Sequence, residues 1–199
     1  MCGRYYVDDD TAKEIERVIR QVNEKIRRDN AIANIQFAAK DVHPTELAPI
    51  LMQDGKGLCC KTLRWGFPGS TSVIFNARSE TALEKPSFRE GIRSRRIVIP
   101  ATHFYEWNSK KEKNIFRRAD APVLFMAGCY NRYENGDCFV ILTTAANSSM
   151  KPVHDRMPLI LEEEEITRWI LNESSISELL KKKPCLLERQ TDYEQMSLF

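Results

Sequence analysis

The chain has 199 residues, 42% of them hydrophobic and 29% charged, with a formal net charge of +2. A chain of this length suits one domain with a core of its own, without disulfide staples. Its apolar runs, such as VLFMAGCY and CFVILTTAA, are too short and interrupted to span a bilayer, and no basic segment followed by an apolar one marks a signal peptide.

The net charge hides an asymmetry. Residues 61–118 carry 13 Lys and Arg against 5 Asp and Glu, or +8, between flanks of −1 and −5. Such a block suggests an anionic partner, nucleic acid first, the alternative being a solvated basic face. Six cysteines (Cys2, Cys59, Cys60, Cys129, Cys138 and Cys185) form no CxxC pair. Four of them sit in strand-like apolar runs, where free cysteine behaves as a small hydrophobe. That pattern points to a reduced, cytoplasmic protein with no disulfide framework, metal or cofactor. Cys2, at the chain start beside Gly3 and Arg4, does not fit it.

In chain order, GRYYV reads as a short strand. Thr11 and Glu14 form a capping-box pattern before Ile15, Val18, Ile19, Val22 and Ile26, which recur at helical spacing. Residues 29–45 read as a connector ending in His43-Pro44-Thr45. APILMQ, a DGKG turn and LCCKTLRW predict a hairpin. VIFNA is a further strand, followed by short helical pieces around residues 79–93. RIVIPA, HFYEW and NIFRRA follow as short strands, and VLFMAGCYNRY and CFVILTTAA flank the turn signal Asn135-Gly136. Two helices, near 162–172 and 175–182, close the chain, with Lys181 to Lys183 suited to a helix C-terminus. No alternating strand–helix rhythm is present. The fold class is α+β, with a mainly antiparallel, curved or barrel-like sheet and peripheral helices.

Polar residues interrupt apolar strand ends at Cys2, FNARSE (75–80), FYEW (104–107) and HDRMP (154–158). Each alone has a bland reading. Asn76 suits a turn, Arg78 and Arg156 a charged surface, His154 a structural site, and Trp65 and Trp107 a core. Glu106 either faces solvent on an alternating strand or points inward, where aromatic neighbours would desolvate it into a general acid.

Taken together, MCGR, RWGF (64–67), FNARSE, FYEW, ILTTAAN and HDRMP, in this order, resemble the SRAP (SOS-response-associated peptidase) family, the abasic-site processing proteins. The resemblance covers residues 2 to about 160 and implies one SRAP domain over 1–190, followed by a tail over 191–199. It implies that Cys2, after removal of Met1, forms a thiazolidine crosslink with an abasic site in single-stranded DNA. Associated lyase and autopeptidase-type activities would accompany it. An α-amine and a thiol on adjacent carbons, with ordinary pKa values of about 8 and about 8.5, make such a ring chemically accessible. By the same resemblance Glu106 is an acid/base, His154 handles protons near the sugar, and Asn76 holds Cys2. Arg4, Arg78 and Arg156 grip phosphates, Trp65 and Trp107 stack bases, and Pro44 and Thr143 line the DNA channel. The chemistry needs only a monomer.

The last residues, Gln195-Met196-Ser197-Leu198-Phe199, resemble the pentapeptide with which bacterial proteins dock on the sliding clamp, Gln195, Leu198 and Phe199 being the anchors. The rival readings are an N-terminal-nucleophile glutamine amidotransferase, which would explain MCG but not FYEW or HDRMP, and a non-catalytic DNA-binding module.

Overall fold

The computed structural model describes residues 2–25 and 38–191. Its first elements are β1 (Tyr5–Val7), α1 (Asp9–Lys25), β2 (Lys40–Val42), β3 (Leu47–Asp54), β4 (Gly57–Trp65) and β5 (Asn76–Arg78). After a 3₁₀ turn, Ser79–Thr81, come α2 (Pro86–Ser94), β6 (Arg96–Ala101), β7 (His103–Trp107), β8 (Lys113–Arg117), β9 (Leu124–Asn131) and β10 (Cys138–Ala145). β11 (Arg156–Pro158), β12 (Ile160–Leu161), α3 (Glu163–Leu171), α4 (Ile176–Leu179) and β13 (Glu188–Thr191) complete the described chain.

The hairpin of β3 and β4 forms in the expected register, Leu47 opposite Arg64 and Asp54 opposite Gly57, with Gly55 at φ 59° in its turn. β3, β6, β9 and β10 then pair antiparallel in sequence. β10 returns to β4 in parallel through Cys138–Arg64 and Phe139–Trp65. That last pairing closes a five-strand ring, so the curved, barrel-like sheet is present. The second sheet, ordered β13-β8-β7-β1-β2, is antiparallel throughout.

Alternation along the ring strands sorts side chains into two buried clusters. Leu51, Val98, Val140 and Leu142 pack with Ile15, Val18 and Ile19 of α1 and with Trp169 of α3. Ile50, Ile97, Phe139 and Ile141 pack with Tyr5, Val42, Phe104 and Phe116 of the second sheet, and Cys2 belongs to this cluster. No helix among the described residues is long and apolar enough to cross a membrane.

The structure corrects several local expectations. The helix cap is one turn earlier than Thr11 and Glu14: Thr11 N donates to the Asp8 carboxylate at 3.1 Å and Asp8 N to the Thr11 hydroxyl at 3.2 Å. Thr11 is buried against Thr102 and so serves inside the cap, while Glu14 binds Arg17 on the surface. Ile26 lies outside the described residues. Part of the expected connector is strand, since Lys40–Val42 pair with β1. The β9–β10 connection runs over 132–137, longer than a tight turn, with Gly136 at φ 107°. The helix expected near 175–182 is only Ile176–Leu179, and Lys182 instead makes ion pairs with Glu162 and Glu165 at the start of α3.

Arg96 joins sheet to helices. Its buried guanidinium donates to the carbonyls of Ile92 and Arg93 at the end of α2 and of Trp169 and Ile170 at the end of α3. Four terminal carbonyls that helices leave without partners are thus satisfied by one side chain. Arg96→Met is expected to destabilise the fold by about 3 kcal/mol, because buried acceptors lose their donor. Urea unfolding measures this, and a loss below about 0.5 kcal/mol would show that water replaces the guanidinium without cost.

Candidate functional site

Cys2 enters just ahead of β1. β1 pairs with β7 through Tyr5–Phe104 and Tyr6–His103, and Tyr105 N donates to Arg4 O at 2.9 Å. Continuing that register brings Glu106 opposite Gly3, beside Cys2. Glu106 points inward and is only 5% exposed, and its Oε1 accepts from Trp107 N at 3.2 Å. Cys2 is 1% exposed; its Sγ lies 3.8 Å from Arg4 O, and its carbonyl accepts from Asn76 Nδ2 at 2.8 Å. Burial first, and then the nearby Glu106 carboxylate, push the Cys2 thiol up to about 12. This departs from the ordinary value of about 8.5 for a free thiol: the group is held protonated at neutral pH.

Asn76 is positioned by β5, which pairs in parallel with β10 through Asn76–Ile141, Ala77–Leu142 and Arg78–Thr143. On the other side of β10, β11 places Arg156 opposite Ala145. Arg156 donates from Nη1 and Nη2 to Glu80 at 2.6 and 2.8 Å, and from Nη2 to Thr143 O at 2.6 Å. The FNARSE, ILTTAAN and HDRMP stretches thus meet in one network. His154 Nδ1 accepts from Arg156 N at 2.9 Å, so in the neutral ring the proton sits on Nε2. Its turn, closed by His154 N to Met150 O at 3.1 Å, carries Met150 and Val153 into the buried cluster that holds Cys2.

The predicted DNA-contacting residues divide. Trp107 is 37% exposed and Arg78 is exposed, whereas Pro44 is half-buried in the turn after β2, next to Thr45 at φ 82°. Trp65 is 0% exposed: it packs against Tyr5, Phe75 and Phe139 and donates to Phe75 O at 2.9 Å. It is a core residue and offers no face to a base. Thr143 is also fully buried, with its hydroxyl donating to Ala77 O, so its side chain lines no open channel. Arg156 is bound to Glu80, and Arg4 to Asp41. Gln195, Leu198 and Phe199 lie outside the described residues.

The basic block is partly spent inside the fold. Arg96 is buried, Arg117 pairs with Glu188, and Arg118 pairs with Asp120 and Glu162. Asn147, quoted only as part of ILTTAAN, donates to Pro184 O and Cys185 O and so ties down the segment before β13. Glu80 and Asp41 had no assigned role. Glu80 stood in a quoted motif, but nothing in sequence spacing marks Asp41. A cavity of about 750 Å³ lies beside Thr45, Arg64, Val73 and Tyr133 and includes none of Cys2, Asn76, Glu106 or His154. Among the described residues, no three His, Cys, Asp or Glu gather as a metal-binding group.

With the geometry in place, the chain can be set beside known proteins. It matches the SOS response associated peptidase (SRAP) family over residues 1–197. It is 30% identical over 187 residues to the abasic site processing protein YoqW of Bacillus subtilis, covering 85% of this chain and 80% of that one. It is 28% identical over 185 residues to the abasic site processing protein YedK of Escherichia coli, covering 88% and 82%. A crystal structure of a protein from Bacteroides thetaiotaomicron superposes with a TM-score of 0.73 at 26% identity, over 96% of this chain and 91% of the other. A second, from Bordetella bronchiseptica, gives 0.74 at 23% identity over 96% and 99%, a likeness of fold. The conserved architecture and the match along nearly the whole sequence agree: this chain belongs to the SRAP family.

Proposed function

We propose that this chain processes abasic sites in single-stranded DNA, capturing the lesion covalently through Cys2. The observation that carries the reading is the seat of Cys2. Its carbonyl is fixed by Asn76, and its thiol is enclosed beside the Glu106 carboxylate. The relatives named as abasic site processing proteins support the same substrate.

The reaction starts from Cys2 with a free α-amine, that is, with Met1 removed. The open form of the abasic sugar presents an aldehyde. The amine adds to it, and loss of water leaves an imine. The thiol then forms a C–S bond to the imine carbon, and its proton ends on the ring nitrogen, closing a five-membered thiazolidine. Because the thiol is held protonated, the amine reacts first and the thiolate arises only as the proton leaves. Glu106 is placed to carry that proton. His154, with its proton on Nε2, donates toward the sugar oxygens. Removal of a C2′ proton of the sugar at the imine stage, its C–H electrons forming the double bond as the 3′ phosphate leaves, would give lyase chemistry from the same intermediate. Arg78 and Trp107 supply an exposed cation and an exposed aromatic face for phosphate and base.

Wild-type protein is expected to give a heat-stable adduct with a single strand bearing one abasic site, seen as a shifted band on a denaturing gel. Cys2→Ala and protein retaining Met1 should give none; an adduct with Cys2→Ala would remove the thiol from the reaction. Glu106→Gln should slow adduct formation by about 10²-fold or more while leaving DNA affinity intact. Rates within about threefold of wild type would place the proton carrier elsewhere.

The final pentapeptide extends the proposal to clamp docking, with Leu198 and Phe199 filling an apolar pocket and Gln195 making polar contacts. A chain ending at Glu194 should lose binding to the sliding clamp in a pull-down and keep adduct formation; retained binding would refute the docking role.

A further inference from the structure

We propose that Glu80 and Asp41 are built-in stand-ins for phosphate: their carboxylates occupy, on Arg156 and Arg4, the seats that DNA phosphates would take, and so weaken binding to strands without a lesion. The inference rests on the reading of the site as a DNA-capturing one.

A guanidinium has five N–H donors, and a phosphate is gripped best by two neighbouring ones at once. On Arg156, Glu80 already holds one donor each of Nη1 and Nη2, at 2.6 and 2.8 Å, and Thr143 O takes a further donor of Nη2 at 2.6 Å. Its Nε is enclosed without a partner. One Nη1 donor is left over, so a two-pronged phosphate contact is available only where Glu80 now sits. Arg78 faces the same carboxylate: Arg156 first, and Arg78 in addition, hold the Glu80 carboxyl below its ordinary value.

Arg4 is engaged less completely, by one carboxylate oxygen on one of its donors. Its Nη2 binds an Asp41 oxygen, its Nε is enclosed without a partner, and its guanidinium carbon lies 4.7 Å from the centre of the Tyr105 ring. Asp41 comes from β2, across from β1. Two arginines, one two residues from Cys2 and one on β11, are thus each engaged by a carboxylate. The Glu80 side chain is 46% exposed and can swing into water when an anion arrives, whereas Asp41 is 27% exposed, with one oxygen enclosed and Tyr105 also bonded to it.

The consequence is a brake on residence at intact DNA, since the exchange lowers the affinity for every strand and only a lesion adds a compensating contact. An intact strand gains little by exchanging one anion for another on the same guanidinium. An abasic strand makes the same exchange but adds the seating of its sugar at Cys2.

The test compares wild type, Glu80→Gln and Asp41→Asn for binding to an intact oligonucleotide and to the same strand carrying a tetrahydrofuran abasic analogue, which cannot crosslink. Each variant is expected to bind the intact strand about fivefold tighter at about 50 mM salt. The slope of log affinity against log salt should steepen by about 0.7, the value for one more phosphate contact on a single strand. The abasic strand, which makes the same exchange, should gain by a similar factor, leaving the ratio of the two affinities unchanged. Unchanged or weaker intact-strand binding by the two variants, which lie in separate elements and serve as independent arms, would overturn the proposal. In that case the carboxylates would be struts that hold the arginines for DNA. A wild type that captures a reactive abasic strand while the variants gain nothing overturns this inference alone. A wild type that forms no adduct overturns the functional reading beneath it.

Discussion

Three residues of strand pairing hold the site together. Ile141, Leu142 and Thr143 of β10 bind Asn76, Ala77 and Arg78 of β5 in parallel, and Thr143 to Ala145 pair with β11. A short strand such as β5 has little stability of its own. Its place comes from β10, which is buried from Cys138 to Thr144 and also closes the ring against β4 and β9. Asn76 and Glu80 are far in sequence from His154 and Arg156, and this one strand sets the relative positions of the two pairs.

The chemistry of Cys2 follows from where that frame puts it. A thiol near a chain end usually stands in water and titrates freely. Here it is enclosed among Tyr5, Trp65, Met150 and Val153, with a carboxylate nearby. Both effects favour the neutral thiol. Such a cysteine is a poor target for oxidants and alkylating agents, which react with thiolates; in the proposed reaction it acts only once an imine forms within reach. Protection and reactivity therefore depend on the same burial.

The parts legible in the sequence were those written locally. The β3–β4 hairpin carries its turn glycine and its alternation, and the ring strands carry runs of Val, Ile, Leu and Phe. The motifs marked Cys2, Asn76, Glu106 and His154 as polar residues at strand ends, and the structure brings Asn76 and Glu106 to Cys2. β2, β11 and β13 were not legible, because KDV, RMP and ERQT are too short and too polar to show a period. They form because a neighbouring edge offers them hydrogen bonds. Trp65 shows the reverse failure: an aromatic residue in a DNA-binding motif suggests a stacking face, while its neighbours in space, invisible in the sequence, make it core. The charge count overstates the free basic surface, since Arg96 and Arg118 are consumed by helix ends and carboxylates. Asp41 has no signal at all apart from its distance to Arg4.

The most direct test of the account is peptide mapping by mass spectrometry of the purified adduct. The account predicts a linkage on the N-terminal peptide alone, beginning at Cys2, with a mass equal to peptide plus sugar fragment less one water, and with neither the amine nor the thiol of Cys2 open to alkylation. A linkage at any lysine, or a Cys2 thiol that still alkylates in the adduct, would contradict it.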